Sequence, residues 1–462
     1  MDFKEQTRLL TQKKNALYEG KTSLAGEGTA RIGGALFDAG SFVELNAMVD
    51  EGNAVAGYGL VDGRPAYLIA QDPDLSGGAM SAAQAQKMIK ALDKASNAGV
   101  PVVFLLNSQG AKVLEGLQVL SAYADVFTRM ARLSGICPLI AVVDGSCVGA
   151  AAHFVSLSDI VIAVESSAEL LSAPASVLSA VQGVSKDGKT LGGAAQAAQQ
   201  GAVSLTAPDT AAALKIVQAL VGLLPSSSGC NAPFQEGDDL NRLLTDAQAA
   251  SGALLLEAVA DAGSVVWLYQ AYAAGCHTAL ARVGGRPCGI VSTEFTVDGG
   301  RLDAKACDKI ARFVRFCDCF DLPVITLIDS EGLAVPPADK QGWLMRASSD
   351  MLYTYADADC PKLAVITGNA VGTAFVAFAG SAVADVCYAW PGSLISPLTK
   401  EAAVQTFEAG QLKTRDRDTL EKEYSDKADG MNAARAGIVD EVIAPAQTRK
   451  YLIAAMEMLA AE

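Results

Sequence analysis

The sequence predicts an α/β protein in which a single fold is built twice. Landmark residues recur in one order at one spacing, short continuously apolar segments read as strands covered on both faces, and helical patterns lie between those segments. Asp38-Ala39-Gly40-Ser41-Phe42-Val43-Glu44-Leu45 returns 223 positions later as Asp261-Ala262-Gly263-Ser264-Val265-Val266-Trp267-Leu268. Gly63-Arg64-Pro65 returns as Gly285-Arg286-Pro287, and Asn107-Ser108-Gln109-Gly110 as Asp329-Ser330-Glu331-Gly332, both after 222 positions. Cys137-Pro138 and Val148-Gly149-Ala150-Ala151 return 223 positions on as Cys360-Pro361 and Val371-Gly372-Thr373-Ala374. A period this long is not that of a solenoid, whose repeats run to about 20–50 residues. It marks duplication of a whole domain, and the expected division is 1–235 and 236–462.

The elements follow in the same order in each half. Residues 1 to about 50 open with a charged helical stretch and end on the first landmark. Apolar segments at 66–70, 101–106 and 138–143 read as strands, and 82–98 and 121–133 as the helices between them. In the second half the strands are expected at 287–293, 323–328 and 362–366, with helices at 304–320 and 344–356. A helix at 207–224, stopped by Pro225-Ser226-Ser227-Ser228-Gly229, precedes the boundary. Residues 399–462 read as amphipathic helices that cover a sheet or make subunit contacts.

Composition narrows the function. A net charge of −15 argues against nucleic-acid or anionic-membrane binding, so an anionic ligand needs a local basic pocket. Ten scattered cysteines without paired CxxC spacing, and an N-terminus without an apolar leader, point to a reduced, cytoplasmic protein with no metal site. No apolar run reaches the roughly 18–20 residues that span a bilayer.

Two turns per half attract the chemistry. One pair is Ser108-Gln109-Gly110-Ala111 and Ser330-Glu331-Gly332; the other is Gly145 to Ala152 and Gly368 to Ala374. Small residues between a strand and a helix leave backbone N–H groups free at the helix start, and such groups stabilise an oxyanion without any side chain. The plain alternative is that these glycines only allow tight packing. The only two histidines, His153 and His277, do not correspond in the repeat, so a duplicated histidine acid/base role is excluded; His153 reads as a partly buried packing residue. Neither a Walker loop nor a strand-placed GxGxxG occurs.

The run from Asp38 to Leu45, Gly63-Arg64-Pro65, the turn from Ser108 to Gly116, the SGxxP of Ser134 to Pro138 and the GxxxGAA turn together resemble the carboxyltransferase subunits of biotin-dependent acyl-CoA carboxylases and decarboxylases. In the second half Gly300-Arg301-Leu302-Asp303, the run from Lys309 to Asp318, Tyr355-Ala356 and Tyr388-Ala389-Trp390-Pro391 continue the likeness. The resemblance implies two tandem crotonase-like (ClpP/crotonase) ββα-superhelix domains, the first binding an acyl-CoA and the second carboxybiotin. It further implies active sites shared between the N domain of one subunit and the C domain of another, in a homo-hexamer built as a dimer of trimers.

By position, the resemblance places the thioester oxyanion hole at Gly149 and Ala150, with Gly110 and Ala111 on the substrate. It places the biotin oxyanion hole at Gly372 and Thr373, with Gly332 beside the cofactor and Val376 where the acyl chain is read. Gly372→Pro is the substitution this reading suggests. Lys87, Lys112 and Lys309 are candidates for the coenzyme A phosphates. The partners implied are a biotin carboxyl carrier protein and a biotin carboxylase or membrane decarboxylase subunit, since neither a Met-Lys-Met biotinylation site nor an ATP-binding domain is found. Gln109 and Glu331 depart from the family's turns, and Glu331 brings negative charge where anionic ligands dock. Two alternatives stay open: a structural or regulatory subunit paired with an active paralogue, and a biotin-independent crotonase-type acyl-CoA hydrolase or isomerase using a carboxylate such as Glu115.

Overall fold

The computed structural model of the chain describes residues 2–18, 35–49, 54–74, 76–183, 186–249 and 252–459. Of the expected N-terminal helical stretch, α1 (Phe3–Tyr18) is described and 19–34 lie outside the described residues. The chain forms two compact units, Met1–Cys230 and Asn231–Glu462. Residues 231–235 go with the second unit for a local reason. The Gln235 N–H donates to Gly285 O at 3.0 Å, and the Arg282 guanidinium donates to Pro233 O. Among the described residues no helix is long and apolar enough to cross a membrane.

The first unit is an eight-stranded sheet. Its strands are β1 (Val43–Leu45), β2 (Ala54–Val61), β3 (Arg64–Gln71), β4 (Val102–Ser108), β5 (Leu139–Val148), β6 (Ile160–Val164), β7 (Glu169–Leu171) and β8 (Leu205–Ala207). They lie in the order β1-β2-β3-β4-β5-β6-β8, with β7 on the end of β5. The first three are antiparallel, and from β3 onward the pairing is parallel. Parallel neighbours need crossovers, supplied by α2 (Ala82–Ala98) and α3 (Leu117–Leu133), while α4 (Ala150–Ser156) follows β5 and α5 (Thr210–Leu223) follows β8. Helix α2 starts where the Ser81 hydroxyl accepts the Gln84 N–H, and stops at Gly99, which takes the left-handed conformation at φ 63°. Met88, Leu92 and Ala95 of α2 meet Val126, Met130 and Leu133 of α3 over Phe104 and Leu106 of the sheet. Each of these side chains is buried.

The second unit repeats the plan: β9 (Val266–Leu268), β10 (Cys276–Val283), β11 (Arg286–Thr293), β12 (Val324–Ser330), β13 (Lys362–Val371), β14 (Val386–Ala389), β15 (Leu394–Ser396) and β16 (Glu441–Val442), in the order β16-β14-β13-β12-β11-β10-β9 with β15 on the end of β13. Helices α6 (Ala304–Cys319), α7 (Gln341–Asp357) and α8 (Thr373–Phe378) take the places of α2, α3 and α4, and α9 (Thr448–Leu459) closes the chain.

The repeated landmarks are hairpin clasps. Asp38 accepts the Asp62 and Gly63 N–H groups at 3.0 and 2.8 Å, and Asp261 accepts those of Gly284 and Gly285 at 2.9 and 2.7 Å. The Ser41 hydroxyl accepts the Leu60 N–H, and that of Ser264 the Arg282 N–H, both at 3.0 Å. The aspartate and the serine therefore recur because two groups must hold one tight turn. Arg64 donates to Val221 O and, at 2.8 Å, to Leu224 O, capping the end of α5.

Candidate functional site

Each unit builds its turns from a break in strand pairing. Between Leu106 and Ser108 on β4 the partner on β5 advances from Val143 to Cys147; between Ile328 and Ser330 on β12 it advances from Ile366 to Ala370 on β13. The longer side bulges, and a bulge re-aims the strand that carries it. The side chain at the break crosses the bulge glycine so closely that a Cβ on Gly145 would sit 2.2 Å from Asn107, and one on Gly368 2.3 Å from Asp329. Asn107 Nδ2 donates to Asp144 O at 2.8 Å, whereas Asp329 Oδ1 accepts from Asn369 N and Nδ2 at 2.7 and 2.9 Å. Burial pushes the Asp329 carboxyl up, and the two bonds from Asn369 oppose this. Beyond the bulge the tails of β5 and β13 pair with β7 and β15. Gly145 to Val148 is thus strand, not the turn expected from its small residues.

The turns proper are Gly149, at φ 60° and ψ −123°, and Gly372, at φ 53° and ψ −117°. Only glycine adopts this region without strain. The glycine N–H groups are used by the sheet, donating at 2.9 Å to Leu171 O and to Ser396 O respectively. The donors left over are the next ones, Ala150 N–H and Thr373 N–H, which have no acceptor among the described residues. Of the pairs expected from sequence, Ala150 and Thr373 keep a free donor, whereas the N–H groups of Gly149 and Gly372 are already taken.

Gly110 and Gly332 lie against the same strand ends. A Cβ on Gly110, at φ 103°, would come 3.1 Å from Val148 O, and one on Gly332, at φ 97°, 2.9 Å from Val371 O. Each unit therefore brings its two turns side by side. In these first turns Gly110 O accepts the Met80 N–H at 2.8 Å and Gly332 O the Leu302 N–H at 2.8 Å. The N–H groups of Ala111 and Leu333 have no acceptor among the described residues. Each unit thus leaves two free donors, one from each turn, and preorganised backbone N–H groups are the kind that stabilise an oxygen gaining negative charge.

The side chains around the turns are mostly committed. Lys87 Nζ donates to Ala54 O at 2.7 Å, and Lys309 Nζ to Tyr272 O and Cys276 O at 2.9 and 2.7 Å, so these two of the three candidate phosphate ligands are buried structural groups. Lys112 is partly exposed and pairs with Glu115 at 3.4 Å. Glu115 also accepts the Ala82 N–H at 2.7 Å, which makes it a cap on α2. Glu331 is paired with Arg301, which also holds Asp298 at 3.0 Å, so its charge is offset locally. His153 is exposed, with its ring edge against Phe127, rather than partly buried. His277 lies 3.2 Å from Glu294; burial lowers its pKa, against the pull of that carboxylate. Burial pushes the Cys147 thiol up to about 12, which rules it out as a thiolate nucleophile at neutral pH. Val376 stands exposed on α8.

Sequence reading passed over Leu333 as a donor, because a leucine gives no sign that its N–H is free. It also passed over an apolar run beside the first turn: Val113, Leu114, Leu117 and Leu120 are 81%, 97%, 83% and 61% exposed. Closely spaced exposed apolar residues mark an interaction surface.

Residues 23–462 match the family model of the carboxyl transferase domain. The chain is 32% identical to methylmalonyl-CoA decarboxylase subunit alpha of Propionigenium modestum, over 95% of this chain and 91% of that protein. It is also 32% identical to the mitochondrial propionyl-CoA carboxylase beta chain of Mus musculus, over 92% of this chain and 84% of that one. Among solved structures, transcarboxylase 12S, described as a hexamer and determined with methylmalonyl-coenzyme A and methylmalonic acid bound, superposes with a TM-score of 0.92 at 28% identity. That match covers 100% of this chain and 96% of the other.

Proposed function

The chain belongs to the carboxyl transferase domain family, and we propose that it moves a carboxyl group between a short acyl-CoA and biotin carried by a separate protein. The observation that carries this reading is the duplicated pair of free N–H groups, Ala111 with Ala150 and Leu333 with Thr373. Two anions must be held in such a transfer, one on the thioester and one on the cofactor, and the chain offers two matching cradles. The donor set suits oxygen ligands, because all four groups are backbone N–H donors without an acceptor among the described residues.

When bound, carboxybiotin supplies the carboxyl group, and its ring takes up the proton that leaves the acyl α-carbon. The chain's own part is electrostatic. Ala111 and Ala150 N–H would hold the thioester oxygen of the acyl-CoA, and Leu333 and Thr373 N–H would hold the ureido oxygen of biotin. Fixed dipoles of this kind need no rearrangement during reaction, and one such donor is worth about 10²–10³ in rate. Val376, exposed on α8 beside Thr373, is assigned to the acyl chain.

The commitment of Glu115 to Lys112 and to the Ala82 N–H counts against a biotin-independent hydrolase. The pairing of Glu331 with Arg301 removes one argument for a non-catalytic subunit. We assign the biotin to a carboxyl carrier protein, with a biotin carboxylase or a membrane decarboxylase subunit as the further partner. The exposed run at Val113 to Leu120 supports self-association as a homo-hexamer, a dimer of trimers, or assembly with a paralogue. The cysteines, all free and mostly buried, support a cytoplasmic location. The test is biotin-dependent consumption of malonyl-CoA and methylmalonyl-CoA by the purified chain. Turnover that requires free biotin supports the reading and ranks the acyl groups; turnover unaffected by biotin refutes it.

A further inference from the structure

We infer that the hydroxyls of Ser108 and Ser330 are positioning groups for carboxyl transfer, each fixing the peptide after its glycine so that the Ala111 or Leu333 N–H faces the reacting oxygen. This rests on the function proposed above. Both serines end a strand, both are fully buried, and both clasp the glycine two residues on. The Ser108 hydroxyl accepts the Gly110 N–H at 3.2 Å and donates to Gly110 O at 3.3 Å. The Ser330 hydroxyl accepts the Gly332 N–H at 3.1 Å and reaches Gly332 O at 3.5 Å.

A trans peptide is planar, so its N–H points opposite to its C=O. Gly110 O is held from one side by the Met80 N–H and from the other by the serine hydroxyl. With the carbonyl pinned, the Ala111 N–H has one direction left. The same construction at Leu302, Ser330 and Gly332 aims the Leu333 N–H. The clasp matters because glycine lets the following peptide rotate. A rotated peptide would turn a carbonyl oxygen toward the developing anion in place of a donor. That two units whose turns otherwise differ, Gln109 against Glu331 and Ala111 against Leu333, keep a serine in one geometry ties the hydroxyl to the turn's shape.

The test is steady-state carboxyl transfer to free biotin by full-length wild-type, Ser108→Ala and Ser330→Ala proteins, with thermal melting of each. The expected result is a kcat lower by about 2- to 13-fold, the factor by which one hydrogen bond biases a two-state orientation, with KM for acyl-CoA and biotin unchanged. A folded variant with wild-type kcat, or one that changes KM alone, overturns the inference. A variant that fails to fold overturns it too, because it places the hydroxyl in folding rather than in aiming a donor. An inactive wild-type protein would instead count against the proposed function, which separates the two failures.

Discussion

Replacing Thr373 by proline should remove a donor and leave the fold in place. Thr373 is the first residue of α8, where proline is well tolerated because the N–H has no helical partner. Its N–H bonds to nothing among the described residues, so stability loses no hydrogen bond. Proline also constrains the residue before it to extended conformations, and Gly372 at φ 53° and ψ −117° is the mirror image of one, open to glycine alone. Fixing φ in the unfolded chain adds about 0.4–1 kcal/mol of stability. Loss of one preorganised donor raises the barrier by about 2.7–4 kcal/mol, so kcat should fall about 10²–10³-fold. Thr373→Ala, which keeps the N–H, is the control and should stay near wild type. The assay is transfer to free biotin alongside thermal melting, and Ala150→Pro should behave alike on the thioester side. A folded Thr373→Pro protein with wild-type kcat would refute the reasoning. Gly372→Pro, by contrast, is no clean test: proline cannot take φ 53°, and the lost N–H holds Ser396 O.

Three further outcomes follow from the packing and charges. Arg449, fully buried, pairs with Asp261 at 2.7 Å and donates to Val259 O at 2.8 Å, so Arg449→Met should cost about 3–5 kcal/mol in the second unit, read by denaturant unfolding. Burial pushes the Asp159 carboxyl up to about 7, well above its unfolded value, so its contribution is full below about pH 4 and is lost as pH rises through 7. Asp159→Asn should therefore gain in melting temperature over wild type as pH goes from 5 to 8; a constant difference would contradict this. Leu114→Asp with Leu117→Asp, on the exposed run, should yield a smaller particle by light scattering with an unchanged circular dichroism spectrum.

Much of the fold was legible because burial leaves a pattern. Helix 82–98 and strand 287–293 fall within a residue of Ala82–Ala98 and Arg286–Thr293, where apolar periodicity and the flanking Ser81 and Pro287 mark the ends. The helix expected from 207 begins at Thr210, since Ala207 ends β8 and Asp209 caps the helix. The expected C-terminal helices are interrupted by the two residues of β16, too short for periodicity to register. Strands β2 and β10 escaped notice, because Ala54–Val61 carries two glycines and Cys276–Val283 mixes His277, Thr278 and Arg282 into the run. At the site, the repeat located the turns. It could not say which N–H each turn leaves free, because that depends on β7 and β15 taking up the glycine N–H groups. Nor could it show that Lys87 and Lys309 are spent on carbonyls of their own domains.

The most direct test of carboxyl transfer is to follow label from carboxyl-labelled methylmalonyl-CoA into free biotin with the purified wild-type chain. The account predicts labelled carboxybiotin and matching loss of the acyl-CoA carboxyl, both requiring biotin. Intact acyl-CoA in the presence of biotin, from a folded chain that binds coenzyme A, would contradict it.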